Sequence, residues 1–196
     1  MTASFRLIAL RRSDYPEMLI LEYGADHPGD MKRLLAIARP DTSIITAVGE
    51  MPVHMEFYSG PDDVAREKAR LIEWLPSASF AILNYDDESV MHLKDRTRAH
   101  VMTFGFAKGV DVRVTGFEHR IENDEPRGVA FKLEYGGNAV PVRIENTFGK
   151  VQAYAAAAAA SIGLIFGMNL VKIAEALRAY KPAHGRMELL DRKSVV

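Results

Sequence analysis

The sequence predicts an α/β fold, a mostly parallel sheet flanked by helices with an appended antiparallel β section. Three observations point to it. Through residue 104 short apolar runs alternate with segments of helical periodicity, the order expected of right-handed crossovers in a parallel sheet. After Gly105 the pattern changes to three strand-like runs joined by polar or glycine turns, with Gly136-Gly137-Asn138 a hairpin signal. Two helical segments then close the chain, the first built around an alanine tract at 155–160.

Taken in order, residues 18–23 form a short apolar run read as a strand, and 24–28 a turn into a helix over 29–39. That helix turns Leu34, Leu35 and Ala38 inward and stops at Pro40. Residues 44–48, rich in β-branched side chains and closed by Gly49, read as a strand covered on both faces. The next helix opens at Ser59-Gly60-Pro61, places Asp62 and Asp63 at the positive end of its dipole, and ends before Pro76. A strand over 80–84, a short helix from Asp86-Asp87 and a strand over 100–104 follow. Strands over 110–121, 128–135 and 139–144 are expected to be antiparallel and to flank the parallel sheet. Helices over 150–166, ended by Gly167, and over 169–180, capped by Asn169, complete the chain.

A chain of 196 residues with 48% hydrophobic residues suits one domain, or one domain with a small appendage. Its formal charge of −1, with both signs interspersed, gives neither a nucleic-acid footprint nor a membrane-surface patch. The absence of cysteine removes disulfides, thiolate metal sites and cysteine nucleophiles, and fits a reducing compartment. The apolar run at 5–10 is too short for a signal-peptide core and is followed by Arg11-Arg12; no run approaches a membrane span. The expectation is a cytoplasmic monomer that binds neither nucleic acid nor membrane.

Ligands of parallel sheets bind beyond the carboxyl ends of the strands, which puts Glu22, the loop 49–54 with His54, and Asn84 on one rim. Glu22 is either a solvated carboxylate or one turned into the crevice. Together with His54 it offers an oxygen and an imidazole to a divalent cation. In the helix after Pro61, Val64, Leu71, Ile72 and Leu75 form one apolar stripe, and Lys68 falls inside it. A lysine there either snorkels to the helix edge or is paired, discharged or modified. Arg186, after the last helix, is either solvated or able to reach a phosphate or ribose.

Several stretches carry a resemblance. Leu21-Glu22-Tyr23-Gly24-Ala25 followed by Pro28-Gly29-Asp30-Met31 resembles the EMGA…PGEI or PGDI stretch of the Mur ligases, in the branch that adds D-alanyl-D-alanine. ITAVGEMPVHMEF is similar to ITNVGxxHxEF, AILNYDD to AILNxDD, VMTFG to VxTFG, and KPAHGRME to KPxxGRME, in the same order along nearly the whole chain. The resemblance implies an ATP-dependent ligation. ATP would phosphorylate the terminal carboxylate of UDP-N-acetylmuramoyl-tripeptide, and the amine of D-alanyl-D-alanine would attack the acyl phosphate, with Mg2+ offsetting the crowded charge. By position, Glu22 and His54 match ligands of a magnesium ion, Lys68 matches a lysine that family members carry as a carbamate, and Asn84 and Arg186 match positions near the nucleotide.

Departures limit the resemblance. No G-x-x-x-x-G-K-[ST] phosphate loop occurs: Gly149-Lys150 is followed by Val151 and lacks the upstream glycine. Tyr23 stands for methionine, Ala47 for asparagine, two extra residues separate Gly49 from His54, and VQAYA (151–155) replaces HNVxN. The expectation is therefore that residues 1–190 are a partial central ATP-binding domain without its phosphate loop, and 191–196 the start of a linker to a further domain. On this reading the 196-residue chain is inactive alone. Two other readings are a degenerate, non-catalytic binding module and another amide ligase of the same superfamily.

Overall fold

The computed structural model describes residues 16–48 and 57–181. The expected His54 and Arg186 lie outside these residues, as do Gly49 and the KPAHGRME motif beyond its first residue.

The described elements are helix α1 (Asp30–Ile37), strand β1 (Thr42–Ile45), α2 (Pro61–Glu73), β2 (Phe80–Asn84), α3 (Glu88–Met91), a 3-10 turn (Lys94–Arg96), β3 (His100–Gly105), β4 (Val112–Glu122), β5 (Glu125–Tyr135), β6 (Asn138–Glu145), α4 (Lys150–Ile165) and α5 (Leu170–Arg178). The six strands form one sheet in sequence order. β1, β2 and β3 run parallel, Ile44 beside Ile82 and Ile82 beside Met102. β5 runs antiparallel to both β4 and β6. The fold class read from the sequence is the one observed.

β2 shows why its sequence is apolar throughout. Its side chains alternate between two layers, Ile82 packing with α4 and α5, and Ala81 and Leu83 packing with α2 and α3. A strand covered on both faces has no solvent side on which to place polar residues. The alanine-rich face of α4 buries Ala153, Ala156, Ala157 and Ala160, so the helix lies close against the sheet.

Two expectations are corrected. Residues 18–23 are not a strand: they adopt no regular structure, and Met18, Leu19, Ile20 and Leu21 are exposed, Ile20 at 86%. An apolar run becomes a strand only where a neighbouring backbone completes its ladder, and none of the described strands lies beside this one. The second correction concerns β4, which does not only flank the parallel sheet but continues it, with Phe104 beside Val112 and Gly105 beside Arg113 in parallel register. The short return is held by Asp111, whose Oδ2 accepts from the Thr103 N–H and hydroxyl, each at 2.7 Å, while the Asp111 N–H donates to Thr103 Oγ1 at 3.1 Å. β4 therefore turns a parallel sheet into an antiparallel one without a crossover helix.

Gly105 ends β3 with φ +155, and a Cβ there would lie 2.7 Å from Asp86 Oδ2. The Asp86 carboxylate cannot easily withdraw, because it accepts from the N–H groups of Phe106 (2.6 Å) and Ala107 (3.1 Å). Gly105→Ala should lower the stability of the chain by about 1–3 kcal/mol in chemical denaturation. An unchanged midpoint would show that Asp86 moves freely.

Candidate functional site

The parallel strands deliver their carboxyl ends to one rim, and β2 ties that rim together. Asn84, the last residue of β2 and only 8% exposed, donates from Nδ2 to Thr46 O beyond β1 (2.8 Å) and accepts the Asp86 N–H at Oδ1 (3.0 Å). Asp87 caps α3 by accepting the Val90 N–H at Oδ1 (3.0 Å), and its Oδ2 accepts the Val48 N–H (2.9 Å). Asp86 reaches the other way, to the two amides after β3 and to the Tyr154 hydroxyl of α4 (2.9 Å).

Lys68 comes to this rim from α2. Val64, Ala69 and Ile72 of that helix are buried, whereas Lys68 is half-buried, with Nζ donating to Ala47 O at 3.1 Å. Burial holds its ammonium below the usual lysine range, and the negative charge of Asp87 works in the opposite direction. A larger fraction of the amine is therefore neutral at any pH than for a solvated lysine, and the neutral amine is the nucleophilic form.

Tyr154 closes the far side of the rim. Its pKa is pushed up to about 12, by burial first and then by the hydrogen bond to Asp86 and that carboxylate's charge. Its ring meets Phe106 edge-on at 4.9 Å, and the Lys150 ammonium lies over the Phe106 ring at 5.5 Å.

Of the residues singled out from the sequence, Lys68 and Asn84 stand on this rim. Glu22 lies exposed in the irregular segment before α1, while His54 and Arg186 are outside the described residues. The sequence reading missed the roles of Asp86, Asp87 and Tyr154. The first two appeared as a helix start and as the end of the AILNYDD stretch, without a role, and the Asp86–Tyr154 pair joins residues 68 apart in the chain.

A magnesium ion needs several oxygen ligands. Among the described residues no group of three His, Cys, Asp or Glu side chains could hold a metal ion, and Asp86 and Asp87 are turned onto backbone N–H groups. The Lys68 ammonium, a cation, does not fit a cation site.

The chain belongs to the Mur ligase family, whose middle domain matches residues 5–163. It is 30% identical over 195 residues to the UDP-N-acetylmuramoyl-tripeptide–D-alanyl-D-alanine ligase of Mycobacterium leprae (strain TN), covering 95% of this chain and 36% of that protein. It is 28% identical to the UDP-N-acetylmuramate–L-alanine ligase of Persephonella marina (strain DSM 14350 / EX-H1), covering 69% of this chain and 28% of that one. Among solved structures, a MurF ligase from Thermotoga maritima in complex with ADP superposes with a TM-score of 0.77 at 22% identity, covering 92% of this chain and 40% of that one. MurF from Acinetobacter baumannii superposes with a TM-score of 0.75 at 24% identity, covering 87% of this chain and 36% of that one. These likenesses show the fold. The chain spans about a third of the length of the curated relatives it matches.

The Tyr154 hydrogen bond has a definite pH signature. A folded pKa above the ordinary value of 10 means that keeping this buried, Asp86-bonded phenol neutral contributes stability that is fully present below pH 10 and is lost as pH rises through about 12. Ultraviolet titration of the native chain against Tyr154→Phe should give a difference curve with one phenol ionising near pH 12. A difference curve centred near pH 10 would show that the phenol is neither buried nor bonded to Asp86 in solution.

Proposed function

We infer that this chain is part of an ATP-dependent amide ligase of peptidoglycan precursor synthesis. In this reading the complete enzyme joins D-alanyl-D-alanine to UDP-N-acetylmuramoyl-tripeptide through an acyl phosphate. Residues 1–190 are read as part of its central ATP-binding domain without the phosphate loop, and 191–196 as the start of a linker. Support comes from the 30% identity to the M. leprae ligase, whose name states those substrates, and from the run from Glu22 to Met31 that resembles that branch of the family. The complex of the T. maritima relative with ADP supports ATP as the nucleotide. No helix among the described residues is long and apolar enough to cross a membrane; the enzyme is read as cytoplasmic. The working form is read as a monomer.

The single observation that carries the site reading is Lys68. A half-buried amine with a lowered pKa, set against Ala47 O at the exit of β1, is disposed to add to carbon dioxide. The ammonium gives one proton to solvent, the neutral amine nitrogen forms the new bond to carbon as one C=O π bond opens onto oxygen, a second proton leaves the nitrogen, and a carbamate anion thus replaces the cation. Lys68 as a carbamate, Glu22 and His54 are read as the residues that hold Mg2+, which when bound would offset the charge between ATP and the substrate carboxylate. Asn84 and Arg186 are read as nucleotide contacts. The Asn84 amide already bridges Thr46 O and the Asp86 N–H, so its contribution would be to hold the rim in shape around the nucleotide.

The test is ligation by the protein that carries this chain in its complete gene context, measured as ATP-dependent amide formation from the two named substrates. Lys68→Ala should lower kcat on the order of 10²-fold, with partial recovery on adding formate or acetate. The 196-residue chain alone should show no turnover. Undiminished activity of Lys68→Ala, or turnover by the chain alone, would overturn the respective part of this reading.

A further inference from the structure

The helix that carries Lys68 also carries an unusual neighbour. Glu67 is 4% exposed, although it precedes a half-buried lysine on a helix with an otherwise polar outer side. A buried carboxylate is costly unless its oxygens are occupied, and here they are. Oε1 accepts the Gly29 N–H at 3.0 Å and the Met31 N–H at 2.9 Å, and Oε2 pairs with Arg70 Nε at 3.0 Å.

Gly29 and Met31 are the capping residue and second residue of α1. Gly29 has no side chain to cap its own helix and sits at φ 92, so the orphan N–H groups at that end look elsewhere for an acceptor. Glu67 supplies one from a different helix, and its negative charge lies at the positive end of the α1 dipole. The turn it grips is firm in itself, because Asp30 Oδ2 accepts the N–H groups of Asp26 (3.2 Å) and His27 (2.8 Å). At its other end α1 holds the segment before it, the Tyr23 hydroxyl donating to Ala38 O at 2.7 Å. A chain of contacts thus runs from Glu22 through Tyr23, α1 and the 26–31 turn to Glu67, one residue from Lys68.

We propose that Glu67 is a positioning residue: its buried carboxylate locks α1 onto α2 and thereby sets Glu22 in place relative to Lys68. This rests on the reading above in which Glu22 and Lys68 serve one metal site. Glu67 touches neither metal nor substrate in this role. It acts through the backbone of another helix, as a carboxylate behind a ligand acts on the ligand itself.

The native chain has no cysteine, so spin labels attach only where cysteine is introduced. The exposed Lys32 on α1 and Asp62 on α2 are suitable sites. With labels at both, pulsed electron spin resonance should give one narrow distance distribution, broadened in Glu67→Ala and intermediate in Glu67→Gln, which keeps an acceptor for the two N–H groups. Mn2+ affinity, measured on the unlabelled chain by electron spin resonance, should fall about tenfold in Glu67→Ala and in Glu22→Gln. An unbroadened distribution in both Glu67 variants overturns the proposal. So does a broadened one with Mn2+ affinity intact where Glu22→Gln loses it, since Glu67 would then serve stability alone. If Glu22→Gln leaves Mn2+ affinity unchanged, the metal-site reading fails, and the label distances alone decide whether Glu67 locks the two helices. Should Glu67→Ala fail to fold, Glu67→Gln carries the same comparison.

Discussion

The end of β2 is the constraint on which the rim depends. Parallel strands diverge where their ladders stop, and the backbone groups beyond the last pairs must find other partners or water. Here three polar side chains within four residues do that work for both neighbours. Asn84 and Asp87 hold the exit of β1 at Thr46 and Val48, and Asp86 holds the exit of β3 at Phe106 and Ala107. Gly105 is required because Asp86 sits where a side chain would point. Removing any one of these side chains would leave backbone N–H or C=O groups without their partner at the mouth of the crevice.

With the rim's amides taken up by side chains, the Lys68 amine, held on Ala47 O, is the cationic group that comes to it from α2. Its position reflects a balance. Burial disfavours the ammonium, while Ala47 O and the charge of Asp87 favour it. Such a balance can be tipped by chemistry that removes the cation, and addition to carbon dioxide goes further by reversing the charge. An anion beside Asp87 would then itself require a cation, which ties the modification of Lys68 to metal binding.

Much of this was legible in the sequence because it is local. The two-sided apolar run of β2, the Gly136-Gly137-Asn138 hairpin and the Asn169 cap each follow from a few adjacent residues, and Asn169 does accept the Lys172 N–H at 2.9 Å. Helical periodicity placed Lys68 inside the apolar stripe, and its side chain is half-buried, with the amine reaching out to Ala47 O. What failed or was missed depends on distant partners. Residues 18–23 have the composition of a strand but no described neighbour. The parallel start of β4 depends on Asp111 folding back onto Thr103. Glu67 is not singled out by the sequence, and its burial follows from contacts with Gly29 and Met31, 38 and 36 residues earlier, and with Arg70.

The central claim is that Lys68 is an amine poised to become an anion at the rim. The most direct measurement is 13C NMR of the chain equilibrated with 13C-labelled bicarbonate, with and without Mg2+, against Lys68→Ala. The account predicts a carbamate resonance present in the native chain, strengthened by Mg2+, and missing from the variant. A native spectrum identical to that of Lys68→Ala under both conditions would contradict it.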